Sequence, residues 1–300
     1  MNVARMIREA REALDDGGLH GSFLVRDLDS GDEIGIDPDL EFPVASLVKV
    51  PLAVATLERM ARGELDGATP VTVTPGRISA PGPTGLSKFH HSATVALDDL
   101  LYLSTSVSDG IAADALFDLT SPAEVTAELR RLGFDGIAVR HPIRDLVETP
   151  AERFVPAQAH LAHSLAIGAT TAGQGHAVAQ LDVGRASTGT ARSFVELLCG
   201  LWRPSAIRPP VAARVRELMG DNVLRQRLAP DFSADASRWS SKTGTLLNLR
   251  HEIGVVEHAD GQVFAIAVLT ESRVPAIQQP GAEALMAQVA RSLRDHLRLN

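Results

Sequence analysis

Strand-like segments stand at both ends of this chain with a long helical stretch between them, and that order limits the folds open to it. His20–Asp27 and Asp32–Ile36 alternate like two strands about a Ser30-Gly31 turn, which predicts a hairpin. Strand character returns only late, at Ser240–Leu246, His251–Glu257 and Gln262–Thr270, the last two joined by His258-Ala259-Asp260-Gly261. Such distant strands bury their faces together when both chain ends build one antiparallel sheet. Residues 4–15 predict a first helix, ended by Gly17-Gly18, and Gly281–Asn300 an amphipathic last one. From about 52 to 205 the pattern is mainly helical, with a capping signal at Ser121-Pro122-Ala123-Glu124. Within that stretch, 77–92 reads as a loop, and 141–190 as turn-rich around a helix near 157–167. The expected fold is α/β of the α+β kind, an antiparallel sheet from both chain ends flanked by terminal helices, with an inserted all-helical lobe. Residues 1–45 plus 206–300 make the first lobe and 46–205 the second, within one structural domain whose crevice is the natural site.

A chain of 300 residues with 45% hydrophobic content can bury a large core. A formal charge of -8 argues against nucleic acid or an anionic membrane as partner. One tyrosine and two tryptophans offer no stacking platform for bases. The single Cys199 cannot form an internal disulfide, and its apolar run from Phe194 reads as a buried, inert thiol. The first ten residues are charged and amphipathic, unlike a secretory signal, and no window reaches the roughly 18 apolar residues of a membrane span. The expectation is a cytoplasmic protein. His160-x-x-His163 and His90-His91 have no third ligand at metal spacing, and no phosphate-binding glycine loop is present. No metal and no cofactor are expected.

Three short motifs carry the chemistry: Ser46-Leu47-Val48-Lys49, Ser108-Asp109-Gly110 and Lys242-Thr243-Gly244. Each alone is commonplace, as a capping serine, an N-cap or a strand end. In this order they supply a nucleophilic hydroxyl, a lysine one helical turn away, a second hydroxyl and a second cation. An alkyl hydroxyl needs a base, and a buried lysine beside another cation can be neutral enough to serve. A helix starting near Ser46 aims N–H groups at charge developing beside it, and Pro51 in its early turns is expected to remove one donor and kink it slightly. Ser108 reads as a proton relay to the leaving atom. Lys242 brings positive charge near a substrate carboxylate and helps keep Lys49 neutral, and Thr243 offers that carboxylate a hydroxyl. Gly244 lets a substrate backbone approach, and the N–H groups of Ser46 and Thr245 form an oxyanion hole.

These motifs resemble those of the class A β-lactamase and penicillin-binding protein superfamily, over nearly the whole chain. Asp29-Ser30-Gly31 and Phe42-Pro43-Val44-Ala45-Ser46 resemble the entry to its nucleophile helix. Pro83-Thr84-Gly85-Leu86 and Val95–Leu101 resemble its approach to the second motif. The resemblance implies an acyl-Ser46 intermediate, with Arg250 at the place of an arginine that binds a substrate carboxylate. Gly110 departs from it, replacing an asparagine that holds the substrate's acyl-amide group.

The family's deacylating loop glutamate is a second departure, since its place falls near Ile143-Arg144-Asp145 with no matching glutamate. Asp145, Glu148 and Glu152 are candidate substitutes. Arg185-Ala186-Ser187-Thr188 resembles the loop's end, with Ala186 where an aspartate usually anchors it. The expectation is a serine hydrolase acting on a small amide or ester that carries a carboxylate, with weak or no β-lactam turnover. Two alternatives stand beside it: a DD-peptidase-like acyltransferase, and a non-catalytic binding protein that keeps the fold.

Overall fold

The computed structural model describes residues 2–74, 84–147, 149, 154–158, 160–171, 173, 175–274 and 278–299. A five-stranded antiparallel sheet runs in the order β2-β1-β9-β8-β7, from β1 Leu19–Asp27, β2 Glu33–Ile36, β7 Ser237–Leu246, β8 Leu249–His258 and β9 Val263–Ser272. The amino-terminal hairpin joins the carboxy-terminal strands by pairing β1 with β9, Leu24 opposite Ala267. The sheet predicted from both chain ends is therefore the sheet observed.

Its two faces bury different cores, because side chains alternate along each strand. Phe23, Val25, Trp239, Val256, Ile266 and Val268 pack under α1 (Val3–Asp16) and the last helix, Pro280–Arg298. Leu24, Ile253, Val255, Ala265 and Ala267 face the helical lobe and join its larger cluster. Helix α1 starts where the Asn2 side chain accepts from Ala4 N and stops at Gly17, with Gly18 at φ 69°.

The lobe's principal helices are α2 (Lys49–Ala61), α3 (Leu97–Thr105), α4 (Gly110–Leu119) and α5 (Pro122–Arg131), then α6 (Ile143–Val147) and α7 (His160–Ile167). After them come α8 (Ala191–Trp202), α9 (Pro209–Gly220), the short α10 (Ala229–Phe232) and the terminal α11 (Pro280–Arg298). The capping box predicted at Ser121 and Glu124 is formed, with Pro122 inside the first turn. Pro51 also falls in the first turn of its helix, where its missing N–H has no intrahelical partner to lose. The lobe is not all-helical. A hairpin of β4 (Pro70–Val73) with β5 (Ala93–Ala96) flanks it, and β3 (Phe42–Pro43) pairs with β6 (Thr188–Gly189). Among the described residues no helix is long and apolar enough to cross a membrane.

Candidate active site

The segment that carries Ser46 is held by its backbone. Val44 N donates to Ser187 O at 2.9 Å, and Val44 O accepts from Leu47 N at 3.0 Å. Between them Ala45 takes a left-handed φ of 48°, a conformation that a residue with a Cβ adopts only under constraint. Ser46 follows in a 3-10 turn over Ala45–Val48, and Lys49 opens α2. The predicted helix thus begins with a tighter turn, which still sets Ser46 and Lys49 on one side. Ser46 is partly exposed and its hydroxyl has no hydrogen-bond partner among the described residues, whereas Lys49 is buried.

Ser108 is the meeting point. Lys49 Nζ donates to Ser108 O at 2.7 Å and lies 3.4 Å from Ser108 Oγ. Lys242 Nζ donates to the same Oγ at 2.9 Å and to Thr243 O at 2.8 Å. Burial pushes the Lys49 ammonium down to about 8, opposed by the charges of Asp109 and Asp114. Burial and the nearby Lys49 and Arg227 charges hold Lys242 well below the ordinary lysine range. Two cations sharing one hydroxyl in a dry site favour a neutral amine.

Asp109 builds this corner: its carboxylate accepts from Leu86 N at 2.5 Å, Ile111 N at 2.8 Å and Ala112 N at 3.3 Å, capping α4. Gly85 (φ 59°) permits the approach, since a Cβ there would lie 2.4 Å from Asp109 Oδ2. Ser108 itself has φ 63°, and Gly110 opens α4 with no side chain to offer a ligand.

The third motif brings Lys242 to the centre but places its neighbours differently. Thr243 Oγ1 is closed off from solvent and has no hydrogen-bond partner among the described residues. Strand alternation explains this, because Thr243 lies opposite Glu252 on the face of the terminal helices while Lys242 faces the lobe. The room at Gly244 is taken by protein: a Cβ would meet Val44 O at 3.0 Å and Leu47 at 3.1 Å. Arg250, expected at a substrate carboxylate, is buried and donates to Leu247 O at 2.7 Å and Leu249 O at 2.8 Å.

Thr245 is exposed, and its hydroxyl accepts from Arg227 at 2.6 Å. Arg227 also donates to Gly244 O at 2.9 Å, His251 O at 2.8 Å and Glu283 at 2.9 Å, bracing the strand from behind. No motif marks Arg227 in the sequence.

At the place expected for a deacylating glutamate, Ile143 N and Arg144 N donate to Asp114 Oδ1 at 2.7 and 3.1 Å. Burial raises the Asp114 carboxyl to about 6, opposed by those two N–H groups and by Arg144 and Lys49. Asp114 stands one helical turn beyond Gly110, and that spacing was the signal available for it. Asp145 is exposed, while Glu148 and Glu152 lie outside the described residues.

The loop's base is closed by Arg140, which donates to Ala186 O, to Thr188 Oγ1 at 3.0 Å and to Val183 O at 3.3 Å. Main-chain carbonyls thus stand in for the absent aspartate. His160 is exposed, and His163 is lowered by burial and the Arg250 charge. Among the described residues no group of His, Cys, Asp and Glu side chains could hold a metal ion.

The fold is the one shared by the β-lactamases and the penicillin-binding proteins. A β-lactamase from Chitinophaga pinensis DSM 2588 superposes with a TM-score of 0.77 at 20% identity, over 98% of this chain and 99% of that one. The penicillin-G acyl-enzyme of a PBP-A mutant superposes with a TM-score of 0.75 at 18% identity, over 99% and 97%. Such identities speak for fold alone. The chain belongs to the beta-lactamase enzyme family, whose model matches residues 4–297. It is 66% identical to the Beta-lactamase regulatory protein BlaB of Streptomyces cacaoi over 309 residues, which cover 99% of each protein.

Proposed function

We propose that this protein is an acyl-accepting serine protein in which Ser46 takes an acyl group from a carboxylate-bearing ester or amide and releases it slowly. The carrying observation is the Ser108 hydroxyl, reached by both Lys49 and Lys242. In the reaction the Ser46 proton passes to neutral Lys49 while Oγ bonds to the acyl carbon. The N–H groups of Ser46 and Thr245 receive the oxyanion. Ser108 then gives its proton to the leaving atom as the acyl bond breaks, and recovers one from Lys49. Proton and electron pair balance without a cofactor. Catalytic hydrogen bonds are often loose before substrate arrives, which accommodates the unpaired Ser46 hydroxyl.

Slow release follows from Asp114, whose carboxylate binds loop N–H groups where a water-activating glutamate would otherwise stand. A persistent acyl-Ser46 is a suitable signal, and the similarity to a protein named a β-lactamase regulator supports a regulatory output. Gly110 offers no amide to an acylamino side chain, so a simple ester should label better than benzylpenicillin.

Intact-mass spectrometry after exposure to p-nitrophenyl hemisuccinate and to benzylpenicillin tests this reading. The expected result is a lasting adduct on Ser46, stronger with the ester, absent in Ser46→Ala and formed about 10²–10⁴-fold more slowly in Lys49→Ala. Fast p-nitrophenol release without an adduct would make the protein a turnover hydrolase. Neither adduct nor release would leave a ligand-binding regulator that has kept the fold.

A further inference from the structure

Resting on the acyl-Ser46 reading, we infer that His251 is the positioning residue that locks the nucleophile turn to the β7–β8 hairpin and so sets the spacing of the two oxyanion-hole donors. Those donors come from separate parts of the chain, Ser46 from the turn after β3 and Thr245 from β7. Something must fix one against the other to within a few tenths of an ångström.

His251 sits on β8 directly opposite Gly244, where a Cβ on the glycine would lie 3.4 Å from His251 Cβ. Its ring crosses to the nucleophile segment, with Nε2 2.9 Å from Pro43 O. Its other nitrogen, Nδ1, accepts from Thr270 N of β9 at 3.1 Å. A backbone N–H can only donate, so the ring proton must reside on Nε2 and point at Pro43 O. The tautomer is thereby dictated by the sheet.

Thr270 completes the arrangement by donating its hydroxyl to Arg250 O at 2.5 Å. Phe42 packs edge-on against the ring, 6.0 Å between centroids at 75°. The imidazole is fully buried, and desolvation carries its pKa down to about 4, so it stays neutral and keeps both bonds at physiological pH.

The segment needs such a restraint. Pro43 O is the last carbonyl but one before Ala45, whose left-handed φ of 48° would relax in a free chain. One residue later Val44 O lies against Gly244, close enough that a Cβ would be 3.0 Å away. His251 therefore draws the turn onto β7, and Gly244 sets how near it comes. Histidine and glycine form one device across a single cross-strand pair.

Two variants test the inference: His251→Phe, which keeps a ring but loses both hydrogen bonds, and His251→Gln, which restores a donor at the ε position. Acylation of Ser46 by p-nitrophenyl hemisuccinate is followed by stopped-flow, separating the limiting rate from the half-saturating concentration. In parallel, hydrogen exchange of the peptide covering 42–49 is read by mass spectrometry, which needs no chemistry at Ser46.

The expected result for His251→Phe is a limiting rate lower by about 10–100-fold at unchanged half-saturation, with faster exchange in 42–49 and wild-type exchange in β2. His251→Gln should recover most of both losses. A His251→Phe protein that acylates at the wild-type rate, or protects 42–49 as well as wild type does, overturns the inference. If the wild-type protein itself takes no acyl group, the acyl-serine reading fails, and the exchange result alone decides whether His251 holds the turn.

Discussion

In the proposed reaction Lys49 must lose its proton before it can take one from Ser46, and its neighbours decide at what pH that happens. With the ammonium at about 8, acylation should climb through neutrality and level off above pH 8. Asp109 and Asp114 both oppose this neutralisation, but Asp109 is committed to three backbone N–H groups. Asp114→Asn keeps an oxygen for Ile143 N and Arg144 N while removing the negative charge. Its acylation profile should move to lower pH, making the variant faster than wild type near pH 6.5.

The same substitution has a stability consequence of definite sign. The Asp114 carboxyl is raised by burial to about 6 in the folded state from its ordinary 3.8. Between those values the folded protein holds a proton that the unfolded chain has lost, so stability falls as pH rises through the window. Asp114→Asn should abolish that loss. Urea midpoints at pH 4 and pH 7.5 provide the measurement, with the variant gaining on wild type only at the higher pH.

Elements differ in how much of them is local. The β1–β2 and β8–β9 hairpins, α1 and the Ser121 capping box were legible because turn residues, alternation and caps lie within a few positions of one another. The loop between 141 and 187 was not, since each end is held by a residue far from that end in sequence, α6 by Asp114 and Ala186 by Arg140. A sequence comparison looks for an aspartate at 186 and finds alanine, whereas the guanidinium is satisfied by carbonyls that any residue can present.

The candidate site divides in the same way. Ser46, Lys49, Ser108 and Lys242 stand in contiguous motifs, while Arg227 and His251 find their partners only once the sheet is assembled. Thr243 and Arg250 were expected to meet a substrate carboxylate, and both side chains are buried in the folded chain. Arg140→Ala should release the loop's base and cost about 1–3 kcal/mol, the usual range for leaving buried carbonyls unpaired. Limited proteolysis checks it, with faster nicking between 141 and 187 and unchanged cleavage elsewhere.

Across the whole molecule, the lobes suggested by the chain's order share one apolar interior. The larger cluster runs from sheet residues Leu24, Ile253 and Ala267 to Leu52 of α2 and Leu116 of α4 without a break. Helix α8 joins the two sides, packing on β1, β8 and β9 and against α9. Phe194 on α8 is completely buried, and its truncation to alanine should cost about 3–5 kcal/mol.

The two tryptophans show whether that loss is felt everywhere. Trp202 belongs to the larger cluster, while Trp239 stacks on Phe232 at 5.1 Å across the sheet, under the terminal helices. In a Trp202→Phe background, Trp239 fluorescence reports only the far side. If the molecule unfolds as one cooperative unit, Phe194→Ala shifts the Trp239 midpoint as far as it shifts the far-ultraviolet circular dichroism. A Trp239 transition left in place by Phe194→Ala would mean that the sheet and terminal helices stand without the lobe. The cleft would then be a joint between two independent bodies, and the Lys49–Ser108–Lys242 geometry would depend on their docking.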